Sequence, residues 1–370
     1  MIRLTDITFY ANSEYADTNQ LLDAQQAALL YIHGLKNKLE VDVVKHITSN
    51  TTRIIEKENI HFFVSKNKPG FIPRETIAHL KQNKPDIVFV HGLIFPLHII
   101  RLAMILDRKA RIVVWHHADR PQGWIKKIFQ QLADRYISRY LFTSDGNAEE
   151  WLEAGIIANR EKIFETPSTL SFFSRQIKEL CIRQLQIGKG QHYLWIGRLD
   201  KIKDPLTVIN GFEKFVSIMP SAKLHMIFQS GELLSSIRGQ LDNKPWLKDH
   251  ILLHGKVHHE ELELWYSAAD FLISGSLREA GSVVLLEAMA CGCIPIVTAI
   301  PPSLKVTGDG KYGFSYAVGN VNELADVLAS SVTIDREVFS KKIELHFEKE
   351  YSVRAIADKL YVLCRELTGK

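Results

Sequence analysis

Short apolar runs alternate with amphipathic or charged stretches along most of the chain. Runs such as PDIVFV (85–90), ARIVVW (110–115) and FLIS (271–274) have the composition of strands that are buried on both faces. The stretches between such runs carry apolar residues three or four positions apart, which predicts helices. Strands that alternate with helices predict parallel sheets covered by helices, so we expect an α/β fold.

The alternation occurs twice, with a looser segment between Pro167 and Gly190. We therefore predict an N-terminal Rossmann-like domain over 1–175, a second one over 190–345, and a C-terminal helical segment over 346–370 that packs back across the interdomain region. In two doubly wound domains of this kind a ligand cleft is expected where the carboxyl ends of the two sheets face each other. The predicted strands are 2–10, 41–47, 60–64, 85–90, 110–115, 140–143, 193–197, 223–228, 251–254, 271–274, 294–297 and 313–317. The predicted helices are 20–38, 76–82, 98–106, 124–139, 148–154, 205–217, 260–269, 282–291, 323–329 and 348–367.

Composition narrows the class of protein. A hydrophobic content of 46% with 24% charged residues is typical of a globular protein, and a net charge of +4 is too small and too dispersed for nucleic-acid binding. The most apolar window, 87–106, is interrupted by His91, Pro96 and Arg101, so we expect no membrane span. The four cysteines follow no metal-binding pattern, and we expect core packing in a reducing, cytoplasmic setting.

The stretch SGSLREAGSVVLLEAMACGCIPIV (274–297) predicts a strand end, a turn and a buried helix. Glu287 is the only charged residue on that helix, and Glu279 lies in the turn before it. The backbone N–H groups near Gly281, Ser282 and Val283 have no partner within the helix, so the turn predicts a site for an anion and a polyhydroxylated ligand. The alternative is that Glu287 pairs with a structural Arg or Lys and Glu279 is a solvated loop charge.

A second candidate motif, GRLDKIKDP (197–205), follows a predicted strand and precedes a helix. Gly197 permits close backbone approach, while Arg198 and Lys203 place two cations at the top of the sheet, where they could neutralise a diphosphate leaving group. Ordinary surface charges are the alternative. No two aspartates in the chain are two positions apart, so the Asp-x-Asp pair that often carries a divalent ion to sugar nucleotides is missing. We therefore expect no metal and no cofactor.

Histidines follow two strands of the first domain. His91 ends one predicted strand, and His116 with His117 ends the next. Because alternate residues of a strand face opposite sides, we expect His117 and not His116 to face the ligand. Any of the three could instead be a satisfied structural residue.

Two further patterns are ambiguous or misleading. In the segment 120–139, cations lie beside Trp124, Ile125 and Phe129, which is typical either of a membrane-surface helix or of a helix that packs its apolar side on its own sheet. The glycines of 308–313 spell G-x-G-x-x-G. They follow the turn-rich PPSLKVT and precede the strand-like FSYAV, so we interpret them as a loop and not as a dinucleotide fingerprint.

Taken together, GRLDKIKDP, LHGKVHHEELELWYSAADFLISGS, the acidic pair and GKYGFSYAVGNVNELADVL resemble, in order, the C-terminal half of the family 4 retaining glycosyltransferases, which have the GT-B fold. The first domain resembles the family only in DIVFVHGL, VVWHHADRP and FTS. A glycine-rich loop after the first strand is absent, and QSGELL stands where members commonly have a second glycine-rich turn.

The resemblance implies a role for each candidate residue. Glu279 would contact the donor sugar, Glu287 the ribose hydroxyls, and Arg198 and Lys203 the diphosphate. His117 would lie near the reacting sugar and the acceptor, with His91 and His116 on the acceptor side. The base would lie near the backbone of Gly255, Lys256 and Val257.

The implied function is a retaining, metal-independent transfer of a sugar from a nucleotide-diphosphate sugar, with a UDP- or GDP-sugar as the expected donor. The acceptor would be a sugar, a glycan or a lipid-linked molecule in surface polysaccharide or glycolipid assembly. Peripheral contact at the inner face of the membrane is the expectation under the membrane-surface alternative for the helix of 120–139. The alternatives are a non-catalytic nucleotide-sugar-binding protein and a phosphorylase or synthase of the same fold. The sequence does not specify the sugar, the base, the acceptor or the oligomeric state.

Overall fold

The computed structural model describes residues 1–12, 26–48, 59–66, 68–117, 119–121, 123–167, 170–229, 231–279 and 281–370. Within these ranges the chain forms two compact units. Unit 1 comprises Met1–Leu170 and Val353–Lys370, and unit 2 comprises Ser171–Ser352. The two Rossmann-like domains predicted from the alternation of strands and helices are confirmed.

Unit 1 is built on a seven-stranded parallel sheet in the order β3-β2-β1-β4-β5-β6-β7. Its strands are β1 (Arg3–Asn12), β2 (Glu40–Ile47), β3 (Ile60–Val64), β4 (Ile87–His91), β5 (Arg111–Trp115), β6 (Ile137–Phe142) and β7 (Ile163–Glu165). Its helices are α1 (Gln26–Leu35), α2 (Arg74–Asn83), α3 (Pro96–Ile105), α4 (Trp124–Asp134), α5 (Glu149–Glu153) and, from the end of the chain, α14 (Val353–Thr368). One face of the sheet packs on α2 and α3, and the other packs on α1 and α14.

Unit 2 repeats the arrangement with six parallel strands in the order β10-β9-β8-β11-β12-β13. These are β8 (Gln191–Ile196), β9 (Ala222–Ile227), β10 (Ile251–Gly255), β11 (Phe271–Ser274), β12 (Ile294–Thr298) and β13 (Phe314–Tyr316). The helices are α6 (Lys178–Leu185), α7 (Pro205–Val216), α8 (Leu234–Asp242), α9 (Leu262–Ala268), α10 (Val283–Ala290), α11 (Pro301–Thr307), α12 (Val321–Ser331) and α13 (Arg336–Glu350). In each sheet the strand order reverses direction beside its first strand, at β1/β4 and at β8/β11, which is where α/β proteins place their ligands.

Several element boundaries differ from those predicted. The helix expected over 124–139 ends at Asp134, and Ile137 already begins β6, because Ile137 and Tyr140 are buried as strand residues. The helix expected over 348–367 is two helices, α13 and α14, separated at Tyr351 and Ser352. The PPSLKVT stretch is the helix α11 and not a turn, since its prolines occupy the first turn, where no intrahelical N–H is needed. The three glycines after it still lie between a helix and a strand, the reverse of the dinucleotide order.

Two surface properties bear on function. Among the described residues, no helix combines the length and the apolar composition needed to cross a bilayer. Helix α4 buries Gln130, Ala133 and Asp134 and turns its apolar side outward, so the alternative in which that side packs on the sheet is wrong for this helix. The large apolar side chains exposed on it are Trp124, Ile125, Ile128, Phe129 and Leu132.

All four cysteines are buried and none forms a disulfide.

Candidate active site

In unit 2 the loops that follow β8 and β11 meet in one polar site. The Lys203 ammonium forms an ion pair with Glu279 Oε1, and Ser276 Oγ donates to the same oxygen at 2.7 Å. The Leu277 N–H donates to the carbonyl of Ile202 at 2.8 Å, which joins the two loops through their backbones. Because β8 and β11 are neighbours at the reversal of strand order, the structure brings Lys203 and Glu279 together at the expected ligand position of this sheet.

Asp200 organises the loop that carries the two predicted cations. Its Oδ1 accepts the N–H groups of Ile202 at 3.0 Å and Lys203 at 2.9 Å, while its Oδ2 accepts from Arg198 Nε at 2.8 Å. Burial alone would raise the pKa of the Asp200 carboxyl, but the Lys203 amide and the Arg198 guanidinium lower it below its usual value. Arg198 directly follows Gly197, and its side chain is 67% exposed, so the guanidinium remains accessible to a ligand.

A third loop, after β9, packs against the same site. The Leu233 N–H donates to the Leu199 carbonyl at 3.0 Å. A Cβ at Gly231 would lie only 2.3 Å from that carbonyl oxygen, so this close approach requires glycine. The QSGELL segment therefore keeps the one glycine that the packing demands, although it lacks a longer glycine-rich turn.

Helix α10 begins beside these loops. Ser282 is its N-cap, and Ser282 Oγ accepts the Leu285 N–H at 3.3 Å. Gly281, Ser282 and Val283 are all half-buried and so remain partly accessible. The first amides of the helix have no intrahelical partner, which leaves donors directed away from the helix start.

Glu287 lies further along α10 and is almost fully buried. Its Oε1 lies 2.7 Å from His259 Nε2, and its Oε2 accepts from the Tyr266 hydroxyl at 2.9 Å. Hydrogen bonding to Glu287 raises the pKa of His259, while burial and the same carboxylate raise that of Tyr266 well above its usual value. The partners of Glu287 are thus a histidine and a tyrosine, not the Arg or Lys of the structural alternative.

The His259 contact also connects the predicted base-binding segment to this helix. Gly255 ends β10 in a left-handed conformation with φ 74°, and Lys256 and Val257 follow it. His259 begins the short 3₁₀ helix His259–Glu261 after that loop. Since His259 contacts Glu287, the loop that contains Gly255–Val257 leads directly to the carboxylate predicted to bind ribose.

In unit 1 two of the three predicted histidines form a chain with a buried aspartate. Asp6 on β1 is fully buried, and its Oδ2 accepts from the Tyr31 hydroxyl and lies 2.7 Å from His91 Nε2. His91 Nδ1 in turn lies 2.7 Å from His117 Nε2. The carboxyl ends of β4 and β5 therefore bring His91 and His117 together beside the strand-order reversal of this sheet.

Burial and neighbouring groups shift the pKa values of Asp6 and His117 within this hydrogen-bonded series. Burial alone would raise the pKa of Asp6, but His91, Lys45 and Tyr31 lower it to about 2. An ionised carboxylate only accepts hydrogen bonds, so Asp6 Oδ2 accepts from the Tyr31 hydroxyl and from His91 Nε2–H. Burial and the neighbouring His91 lower the pKa of His117 to about 3, so His117 is neutral and one of its two ring nitrogens is a hydrogen-bond acceptor.

His116 lies elsewhere. It is buried, its ring stacks on Phe142 with centroids 4.7 Å apart, and its Nε2 lies 3.1 Å from the Asp119 carbonyl. Burial lowers its pKa. The structure therefore places His116 in the buried packing beside Phe142 and not in the His91–His117 contact.

Several residues of these sites were not predicted from the sequence. They are Asp6, Tyr31 and Lys45 in unit 1, and Asp200, Tyr266 and His259 in unit 2. Asp200 had a local signal, because an aspartate whose side chain can accept N–H groups two and three residues later is typical of a turn. The charged Asp6 inside the apolar strand RLTDITFY was a second signal, since a buried carboxylate requires donors.

Comparison with known proteins finds a family match within the second unit. Residues 178–344 match the family model of glycosyl transferases group 1. The second unit is therefore similar to the glycosyl transferases of group 1. This confirms the resemblance indicated by the motifs between Gly197 and Leu328.

The curated proteins that this chain resembles are distant in sequence. The D-inositol 3-phosphate glycosyltransferase of Arthrobacter sp. (strain FB24) is 25% identical over 167 residues, which span 43% of this chain and 38% of that protein. The GDP-mannose:cellobiosyl-diphosphopolyprenol alpha-mannosyltransferase of Xanthomonas oryzae pv. oryzae (strain PXO99A) is 20% identical over 285 residues, 75% of this chain and 69% of that protein. The first match thus spans well under two thirds of the relative's length.

The fold extends over nearly the whole chain. The structure of Anabaena Alr3699/HepE in complex with UDP aligns with a TM-score of 0.75 at 14% identity and covers 99% of this chain and 100% of that one. Together with the two parallel sheets, this likeness confirms the GT-B fold class expected for a group 1 glycosyl transferase.

Proposed function

We propose that the protein is a retaining glycosyltransferase that moves a sugar from a UDP- or GDP-sugar to an acceptor without a metal ion. The observation that carries the proposal is the Lys203–Glu279 ion pair, formed where the loops after β8 and β11 meet in unit 2. It places a cation and a carboxylate in contact at the ligand position of the sheet, beside accessible helix amides. A relative named for a GDP-mannose donor and a structural neighbour bound to UDP support the donor class.

The cations of the site would hold the diphosphate. A donor diphosphate competes with Glu279 for Lys203, because its charge is larger than that of one carboxylate. Once Lys203 turns to phosphate, Glu279 becomes available to accept hydroxyl groups of the sugar. Arg198 and the amides at the start of α10 add positive potential where negative charge develops on the leaving group, which is the role a metal ion has in other transferases.

In unit 1 the chain Asp6–His91–His117 would serve the acceptor. His117 is fixed by its hydrogen bond to His91 and is neutral, with an acceptor nitrogen that can orient a hydroxyl group. Asp6 and His91 act as positioning residues, since they set the tautomer and the direction of the His117 ring.

The outward apolar side of α4 supports peripheral contact with a membrane that holds a lipid-linked acceptor, in polysaccharide or glycolipid assembly. Trp124 is 74% exposed, Ile125 54% and Ile128 48%, and Lys126 and Lys127 lie on the same helix. Exposed tryptophan and isoleucine beside lysines are typical of a helix that lies in an anionic lipid interface. The relative named for a diphosphopolyprenol acceptor is in keeping with such a substrate.

Nucleotide release tests the transferase proposal. We expect the wild-type protein to release UDP or GDP from one donor of a panel. The product should retain the anomeric configuration of the donor sugar, which the proton coupling constant at the anomeric carbon reports. Lys203→Ala and Glu279→Gln should each lower kcat/KM by at least about 100-fold, the loss expected when one group that stabilises developing charge is removed. The matched controls are Lys201→Ala, in the same loop as Lys203, and Glu232→Gln, in the loop after β9. Both residues are exposed, and both variants should keep wild-type activity.

Each outcome of that assay has a distinct meaning. Equal activity in the Lys203 and Lys201 variants would refute the donor site. Binding of a nucleotide sugar without turnover by any acceptor would favour the non-catalytic alternative, and phosphate-dependent breakdown of a glucan would favour a phosphorylase. Co-sedimentation with phosphatidylglycerol vesicles tests the membrane contact: Trp124→Ser/Ile128→Ser should lose it, and Met104→Ser, which changes an exposed apolar residue of α3, should not.

A further inference from the structure

A second polar cluster lies in unit 1, on the face of the sheet opposite Asp6. The cluster consists of Asp42 on β2, His61 on β3 and His79 on α2, and it lies near the first residues of β1. They line a cavity of about 530 Å³ together with the beginnings of these strands and the end of α2. His91 and His117, by contrast, lie at the carboxyl ends of their strands, so the cluster is separate from the residues assigned to the proposed transferase function.

The three side chains present their ligand atoms to a common point. His61 Nε2 lies 2.9 Å from Asp42 Oδ1, and His79 Nε2 lies 2.8 Å from Asp42 Oδ2. One ligand atom from each of the three lies within 4.8 Å of the others. Around a tetrahedral ion with bonds of about 2.0–2.1 Å, ligand atoms are about 3.3 Å apart. The two Asp42 contacts would have to lengthen by about 0.5 Å, and no pair of ligand atoms would have to approach by more than about 1.5 Å.

Neighbouring groups hold the three ligands in place. Thr5 Oγ1 lies 3.4 Å from Asp42 Oδ2. Asn83 Nδ2 lies 3.0 Å from His79 Nε2, and that contact must be given up when the same nitrogen binds an ion. The rings of His61 and His79 are in contact, with centroids 4.2 Å apart, and both side chains are largely buried. Ligands that are restrained before the ion arrives lose little conformational freedom on binding.

We propose that Asp42, His61 and His79 bind a divalent transition-metal ion of the Zn²⁺ type, with the remaining coordination position open to the cavity. Two imidazoles and one carboxylate are the donor set of three-ligand zinc and related sites, and three protein ligands with an open position leave room for water or a ligand group. Mg²⁺ and Ca²⁺ prefer oxygen ligands throughout and should bind far more weakly. Among the residues that the structure describes, this is the one group of three such side chains.

Metal titration of the full chain, stripped of metal with a chelator and dialysed, tests the proposal. Calorimetry with Zn²⁺ and visible absorption with Co²⁺ should show one site per chain, with no comparable binding of Mg²⁺. Asp42→Asn, His61→Gln and His79→Gln should each weaken binding by at least about 100-fold, the upper end of losses seen even for groups that only support a ligand. The control His258→Gln changes an exposed histidine outside the cluster and should bind as wild type does.

A chemical measurement on the unaltered protein removes any dependence on how the variants fold. Zn²⁺ should protect His61 and His79 from acylation by diethyl pyrocarbonate, read by peptide mass spectrometry, while His258 stays reactive. Protection of both histidines together with one-site binding supports the proposal. Absence of one-site binding, equal affinity in the three variants, or unchanged modification of His61 and His79 overturns it.

Discussion

Replacing Asp6 by asparagine should leave a buried cation without its counter-charge. Lys45 is 6% exposed, and its ammonium lies 3.9 Å from Asp6 Oδ1, with Thr8 Oγ1 3.1 Å away. A charge pair at that distance is worth about 4 kcal/mol at an effective dielectric constant of 20, and removal of one partner of a buried pair costs about 3–5 kcal/mol. We therefore expect Asp6→Asn to lower the stability of unit 1 by about 3–4 kcal/mol at pH 7.

The pH dependence of the variant gives an independent check on its cause. Burial lowers the pKa of Lys45, and Asp6 opposes that effect, so loss of Asp6 lowers it further. Between the folded pKa and the unfolded value of about 10.4 the unfolded chain binds more protons, so stability rises with pH in that window. Asp6→Asn should therefore recover stability relative to wild type between pH 7 and 9.5.

Native-state hydrogen exchange can measure the effect in the unit where it arises. Amides of β1 and β4 report unit 1, and amides of β8 and β11 serve as an internal reference in unit 2. Asp6→Asn/Lys45→Met should be more stable than the sum of its single variants allows, with a coupling of about 2–3 kcal/mol. A loss below about 1 kcal/mol, additive single effects, or a pH-independent difference would refute the account of a charge pair.

Two further changes test other parts of the structure. Gly275→Ala should destabilise unit 2 by about 1–3 kcal/mol and weaken nucleotide binding, because the new Cβ would lie 2.6 Å from the Asp204 carbonyl and push apart the loops after β8 and β11. Gly239→Ala, in an open position of α8, is the matched control. Equal denaturation midpoints for the two variants would contradict the prediction. Burial, with His254 and His192 nearby, lowers the pKa of His225 to about 3, so the unfolded chain alone takes up this proton as pH falls below about 6.5. Acidification to pH 4.5 should thus cost up to about 2.7 kcal/mol at this residue, and His225→Gln should reduce the pH 7-to-4.5 change in denaturation midpoint.

Local pattern was sufficient for every strand except the short β7, whose three residues are all only half-buried, and it was insufficient for some helices. Apolar runs such as FLIS are distinctive because both faces of a central parallel strand are buried. Helix α13 was largely missed because it buries only Ser340, Ile343 and Phe347 in a charged sequence, a stripe too narrow to stand out. Helix α8 similarly buries Ile237 and Leu241 between serines and a glycine, which are poor helix formers.

For the candidate site, the positions of the residues could be predicted from the sequence, but their partners could not. Strand-end positions of His91, Lys203 and Glu279 follow from the rule that parallel strands present their carboxyl ends at one edge of the sheet. The partners of these residues do not follow, because Lys203 and Glu279 are 76 positions apart and nothing local specifies that their loops touch. The outward direction of the apolar side of α4 was equally undecided in the sequence, since both alternatives require the same amphipathic pattern.

Each unit holds a buried carboxylate with one tyrosine and one histidine, and the two donors of Glu287 differ in how readily they can be displaced. Tyr266 is fully buried and cannot leave without opening the core, whereas the His259 side chain is 50% exposed. A ribose hydroxyl can therefore replace the imidazole at Oε1 while Tyr266 continues to satisfy Oε2. On this reasoning the buried carboxylate is available to a ligand because its second donor is a surface histidine.

This exchange predicts a proton linkage. Glu287 raises the pKa of His259 in the free protein, so a nucleotide that takes the place of His259 at Glu287 should lower that pKa and release a proton near neutral pH. Affinity for the nucleotide should accordingly rise with pH through the titration of His259. Histidine NMR shifts with and without UDP or GDP can measure the pKa directly, and His259→Gln should abolish the pH dependence while retaining binding. A His259 pKa that does not change on saturation with the nucleotide would show that Glu287 keeps its histidine and does not contact the ribose.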